Sequence, residues 1–151
     1  PMSMAFRNLE TDPDAPVETW PYEGLVTAIE RGGLVQWRRI AAAIRQDPWG
    51  RVARSVEDYA GYAEPTGGLA VLTRAVSRAR AAAEDSERAC VAQEVQELVS
   101  ASGLSRTEFA TAIGTSPSRL STYCTGTVTP SGALMVRMRR VTSLRTNPRG
   151  R

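Results

Sequence analysis

Between Arg106 and Thr122 the sequence gathers short polar side chains and guanidinium groups: Arg106 and Thr107, then Ser116, Pro117, Ser118, Arg119, Ser121 and Thr122. Hydroxyls and guanidinium groups do non-covalent chemistry, holding anionic oxygens and polar acceptors at short range. Nothing near them supplies a reaction. Histidine is absent from the whole chain, which removes the commonest general base, the Ser-His-Asp arrangement and imidazole metal ligands. The acids Glu57-Asp58 and Glu84-Asp85 are sequence neighbours, so on a helix they diverge. No phosphate-binding glycine loop, paired metal ligands or nucleophile elbow appears. The residues therefore predict a binding protein and not an enzyme, with no catalytic residue, cofactor or metal.

The elements that must position these side chains are two short helices. Gly103 ends a preceding helix, Ser105 caps the next, and Glu108 completes a Ser-x-x-Glu capping box. Phe109, Ala110 and Ile113 form its inward face, Gly114 permits a left-handed turn, and Ser116-Pro117 supply an N-cap followed by proline at the first helical position. In the second helix Leu120, Tyr123 and Cys124 are apolar, which leaves Ser118, Arg119, Ser121 and Thr122 on the other side. A short helix with a small polar face is what insertion into the major groove of double-stranded DNA requires. Its free N–H groups suit a phosphate, Arg119 reaches a guanine or a phosphate, and Arg106 and Thr107 at the start of the first helix are placed on the backbone.

The stretch GLSRTEFATAIGTSPSRLSTYCTGTVTPS resembles the helix-turn-helix of Xre/Cro-family, phage-repressor-like regulators. The likeness covers about residues 94–141 and rests on the Gly-Leu-Ser opening, Ala110, Gly114, Ser116, Leu120, Gly126 and Pro130-Ser131. It implies that Ser116, Pro117, Ser118, Arg119, Ser121 and Thr122 form the recognition surface, that Arg106 contacts phosphate, and that a homodimer acts on palindromic DNA. Two features depart from the family pattern. Cys124-Thr125-Gly126 stands where an acid often precedes the glycine, and the loop Thr127 to Thr129 has no basic residue. Arg137, Arg139, Arg140 and the tail residues Arg145, Arg149 and Arg151 either compensate through contacts insensitive to base sequence or, for some of them, cap the negative end of the last helix. Residues 1–100 resemble a segment that precedes such domains in actinobacterial proteins, chiefly in WRRIAAAIRQDPWGRVARSVEDY, a likeness that brings no activity with it.

All 19 basic residues are Arg, and residues 101–151 hold eight of them against one acid, Glu108. Residues 1–100 hold eleven Arg and fifteen acids. A basic end of this kind fits a polyanionic partner. The opposed halves also raise an antitoxin reading, in which the first half neutralises a protein toxin. A third reading is a scaffold with no DNA role.

The apolar share of 42% and aromatic share of 6% favour an all-α fold in 151 residues. Pro1-Met2 reads as a cloning remnant. Helical segments are predicted at Tyr22–Glu30, Leu34–Arg45 and Trp49–Tyr62, with Val35, Ile40, Ala43 and Ile44 on one side of the second and the Trp residues in the core. After Gly67-Gly68 a long helix runs to about Ser102, near 50 Å if continuous. Its stripe Leu72, Val76, Ala79, Ala83, Cys90, Val95 and Leu98 predicts dimerisation. The alternative is a break near Glu84-Asp85-Ser86. The boundaries that follow are a disordered lead-in at 1–16, a small helical bundle at 17–68, a connecting helix at 69–93, the helix-turn-helix domain at 94–142 and a basic tail at 143–151. Cys90 and Cys124 are read as buried thiols. No stretch is long and apolar enough to cross a membrane and no signal peptide appears, so the expected location is cytoplasmic.

Overall fold

A computed structural model of the chain describes residues 12–146. Among the described residues the elements are helical throughout: a 3-10 turn at Val17–Thr19, then α1 Tyr22–Arg31, α2 Leu34–Gln46, α3 Arg51–Ala60, α4 Gly67–Ser102, α5 Arg106–Ile113, α6 Pro117–Thr125 and α7 Gly132–Thr146. None of these helices is long and apolar enough to cross a membrane. The chain divides into two compact units, residues 1–83 and 84–151. Each has its own core.

In the first unit, Trp20, Leu25, Ile40, Ile44, Val56, Leu69 and Leu72 are fully buried at the centre of a bundle built from α1, α2, α3 and the first half of α4. Trp37 is half-buried at the edge, with Nε1 donating to the Ala28 carbonyl at 3.2 Å. Its indole lies so close to α4 that a Cβ on Gly68 would stand 2.4 Å from the ring, so only glycine allows the approach.

Two sequence expectations for this unit are corrected. Trp49 is outside the core, 45% exposed, with Arg80 over its ring at 5.8 Å. That arginine donates to the Pro48 carbonyl at 2.9 Å and pairs with Glu57; α3 begins only at Arg51, which leaves Trp49 in the turn. Val35 is likewise exposed, because it lies in the first turn of α2 ahead of the residues that meet the bundle.

The lead-in predicted for residues 1–16 lies outside the described residues up to Thr11. From Asp12 onward it is held to the bundle. Arg39 donates to the carbonyls of Pro13 at 2.6 Å and Ala15 at 2.8 Å while lying 5.0 Å over the Trp20 ring. The tail beyond Thr146, with Arg149 and Arg151, also lies outside the described residues.

Helix α4 is unbroken through Glu84-Asp85-Ser86. The anticipated single stripe is instead two. Leu69, Leu72, Val76 and Ala79 are buried in the first unit, and Ala92, Val95 and Val99 are buried in the second. Residues 84–90 between them are exposed, Cys90 included. Cys90 is thus an exposed thiol and not a buried one; Cys124 is buried.

In the second unit Phe109, Ala110, Ile113, Leu120 and Met138 are fully enclosed, with Val95, Tyr123, Cys124 and Met135 around them. The second half of α4 and helix α7 form the base against which the short pair α5 and α6 is held. Helices of eight and nine residues are marginal in isolation, so this burial is what sustains them.

Candidate nucleic-acid interface

The geometry of the α5–α6 pair begins with its caps. The Ser105 hydroxyl accepts from the Glu108 N–H at 3.1 Å, and the Glu108 carboxylate accepts from the Ser105 N–H at 3.2 Å. Side-chain hydrogen bonding with Ser105, then the backbone N–H of Ser105, hold the Glu108 carboxyl below the usual carboxylate range, and Arg145 adds attraction. At the other end of α5, Gly114 is left-handed at φ 78°. Its N–H donates to the Thr111 carbonyl at 3.1 Å while the Thr115 N–H donates to Ala110 at 2.9 Å. These nested bonds are the Schellman closure of a helix. Helix α6 opens two residues later, where the Ser116 hydroxyl accepts from the Arg119 N–H at 3.1 Å and Pro117 takes the first position.

Two further bonds hold the pair from outside, and the sequence carried no local signal for either. Arg137 of α7 donates from Nη1 to the Ile113 carbonyl at 2.8 Å. Gln96 of α4 donates to the Cys124 carbonyl. Each satisfies a carbonyl in the last turn of a short helix, where intrahelical donors run out. A pairing set by tertiary contact across 24 or 28 residues cannot be read from spacing.

The predicted surface residues divide by environment. Ser116, Pro117, Ser118 and Arg119 are exposed, whereas Leu120, Tyr123 and Cys124 on the opposite side of α6 are buried. Ser121 and Thr122 are half-buried. The Thr122 hydroxyl donates to the Arg119 carbonyl of its own helix at 2.6 Å. Arg106 and Thr107 are exposed in the first turn of α5. The side chains of Arg106, Arg119 and Arg140 have no hydrogen-bonding or ion-pair partner among the described residues.

The C-terminal arginines do not act alike. Arg137 is placed beside the turn, its Nη1 lying 3.4 Å from where a Cβ on Gly114 would be. Arg139 is engaged by Glu94 at 2.8 Å, a bond that raises the guanidinium pKa further. Arg140 is exposed, and no hydrogen bond or ion pair among the described residues ties it to α6.

The division into units also redraws the charge map. Residues 1–83 hold ten Arg and ten acids and balance, while residues 84–151 hold nine Arg and six acids. Five of those six acids, Glu84, Asp85, Glu87, Glu94 and Glu97, lie on α4. The contrast between an acidic half and a basic half is therefore internal to the second unit, and the argument it lent to a toxin-binding N-terminal half falls away.

Comparison with known proteins agrees with the geometry of this unit. A family model described as a helix-turn-helix domain matches residues 90–145. No curated protein and no solved structure matches the chain. The match spans the end of α4 and the whole of α5, α6 and most of α7, so the chain carries a helix-turn-helix domain at its C-terminal end.

Proposed function

We propose that the protein is a sequence-specific double-stranded DNA-binding transcriptional regulator of the repressor type, with α6 lying in the major groove. The observation that carries this reading is the outward face of α6: Ser116, Pro117, Ser118 and Arg119 stand exposed while its apolar side is buried beneath them. Small hydroxyls let the helix approach base edges closely, and Arg119, whose side chain has no partner among the described residues, supplies bidentate donors for guanine. Arg106, at the first turn of α5, supplies a phosphate contact, and so does the N-terminus of α6. Arg137 approaches the same backbone from the α5–α6 turn, with Arg140 as a more distant contributor.

The likeness to Xre/Cro regulators extends the proposal to a homodimer on a palindromic site, with half-sites about 34 Å apart. Val128, Val136 and Leu144 are exposed apolar side chains of the same unit and offer surface for a second copy to cover. The two buried stripes of α4 are already covered within the chain, so they are not the seam.

Selection of bound duplexes from a random library with the full chain tests the reading. A recovered consensus with two-fold symmetry and one-turn spacing supports it. Recovery of no consensus, together with retention on duplex that is insensitive to salt, would overturn it.

A further inference from the structure

The first unit contains a depression of about 700 Å³ that neither the helix-turn-helix nor the bundle core accounts for. Much of its lining is apolar, with Val71, Ala75 and Ala82 on the first half of α4 among it. Three arginines line it: Arg45 from the last turn of α2, and Arg74 and Arg78 on α4. The stretch from Gly67 to Ala83 contains no acid. Neither Arg45, Arg74 nor Arg78 has an ion-pair partner among the described residues, whereas the nearby Arg80 is neutralised by Glu57.

Like charges one helical turn apart repel, and Arg45 from another helix lines the same depression. Val71 in the same lining stays 52% exposed. A volume of this size lined by apolar side chains and a few charged groups has the dimensions and chemistry of a small-molecule site. We propose that this depression binds a small organic anion with an apolar body, an aliphatic or aromatic carboxylate. The apolar portion rests on the alanine and valine lining and the anionic head is held by Arg74 and Arg78, with Arg45 as a third cation. Guanidinium forks suit a carboxylate in this way because they pair with it bidentately. The site stands independently of whether α6 binds DNA.

Calorimetric titration of the full chain with decanoate and, separately, naphthoate tests the proposal, with decanol as the uncharged comparator and a poly-glutamate peptide as the protein-like one. The expected result is saturable binding of one equivalent of at least one anion, with decanol binding more weakly than decanoate. The double substitution R74Q/R78Q is at exposed positions and should weaken binding roughly tenfold or more. Ala82→Phe, which fills the depression from an exposed position, should do so too, with circular dichroism unchanged in both. The two anions distinguish aliphatic from aromatic bodies. The proposal is overturned if neither anion binds saturably below about 1 mM, if both variants bind as the parent does, if decanol matches decanoate, or if only the peptide binds.

Discussion

The guanidinium of Arg137 donates to the carbonyl oxygen of Ile113 across 2.8 Å, so that α7 closes the end of α5. The same side chain lies against the Gly114 turn. Position and charge are thus joined in one residue: it closes the end of α5 and leaves a cation beside the turn that leads into α6. Arg137→Ala should lower stability by about 1 kcal/mol, the net worth of such a bond, read as a shift in urea midpoint. A variant as stable as the parent would show that the bond does not hold the turn.

Gly114 gives a sharper case. At φ 78° an L-residue meets its own carbonyl oxygen, and the added Cβ would also press on Arg137 at 3.4 Å. Gly114→Ala should cost about 1–2 kcal/mol, and DNA affinity should fall because the turn and the start of α6 shift together. Unchanged thermal stability would contradict the account of the turn.

The capping box predicts a pH dependence. The carboxyl of Glu108 is held below its ordinary value of 4.5 by hydrogen bonding with Ser105. A folded value beneath the unfolded one contributes stability that is present above the unfolded value and lost as pH falls through the folded one. Glu108→Gln should therefore be less stable than the parent at neutral pH, with the difference shrinking below pH 4.5. Ser105→Ala should cost about 1 kcal/mol at neutral pH. A parent-minus-variant difference that stays constant through the acid range would contradict the linkage.

The two thiols should separate cleanly. Cys90 is exposed on α4 and Cys124 is 2% exposed in the second core. A disulfide reagent added to native protein should titrate one thiol at once and the second only on unfolding. In Cys90→Ser the fast phase should vanish. Two fast thiols would mean that α6 opens readily from its core.

DNA contacts should divide by role. Arg119→Ala should lower affinity for the selected duplex by about 1–3 kcal/mol and relax specificity at one position, while Arg106→Ala should weaken all duplexes alike and reduce the salt slope by about one ion. Equal losses on cognate and scrambled duplex for both variants would refute the assignment of Arg119 to a base.

What was legible in the sequence was local. Ser105 with Glu108, Gly114, and Ser116 with Pro117 each act within a few residues, so they marked the ends of α5 and the start of α6. The continuity of α4 was legible because no Gly or Pro interrupts residues 69–102. What depends on tertiary contact was not. Arg137 with Ile113 and Gln96 with Cys124 join separate helices; Val35 and Trp49 are apolar types that the bundle geometry leaves in solvent, and Cys90 falls on the exposed stretch of α4 between its two buried stripes. The charge contrast has a related origin: the acids Glu84 to Glu97 on α4 fold into the same unit as the arginines that follow, and no local signal marks that boundary.

The measurement that bears most directly on the outward α6 is dimethyl sulfate protection on the selected duplex, because methylation at guanine N7 reports the major groove and methylation at adenine N3 the minor groove. With α6 in the major groove, guanine N7 positions in each half-site should be protected, and one of them should regain reactivity in Arg119→Ala. Guanines that stay fully reactive in the bound complex, or protection confined to adenine N3, would contradict it.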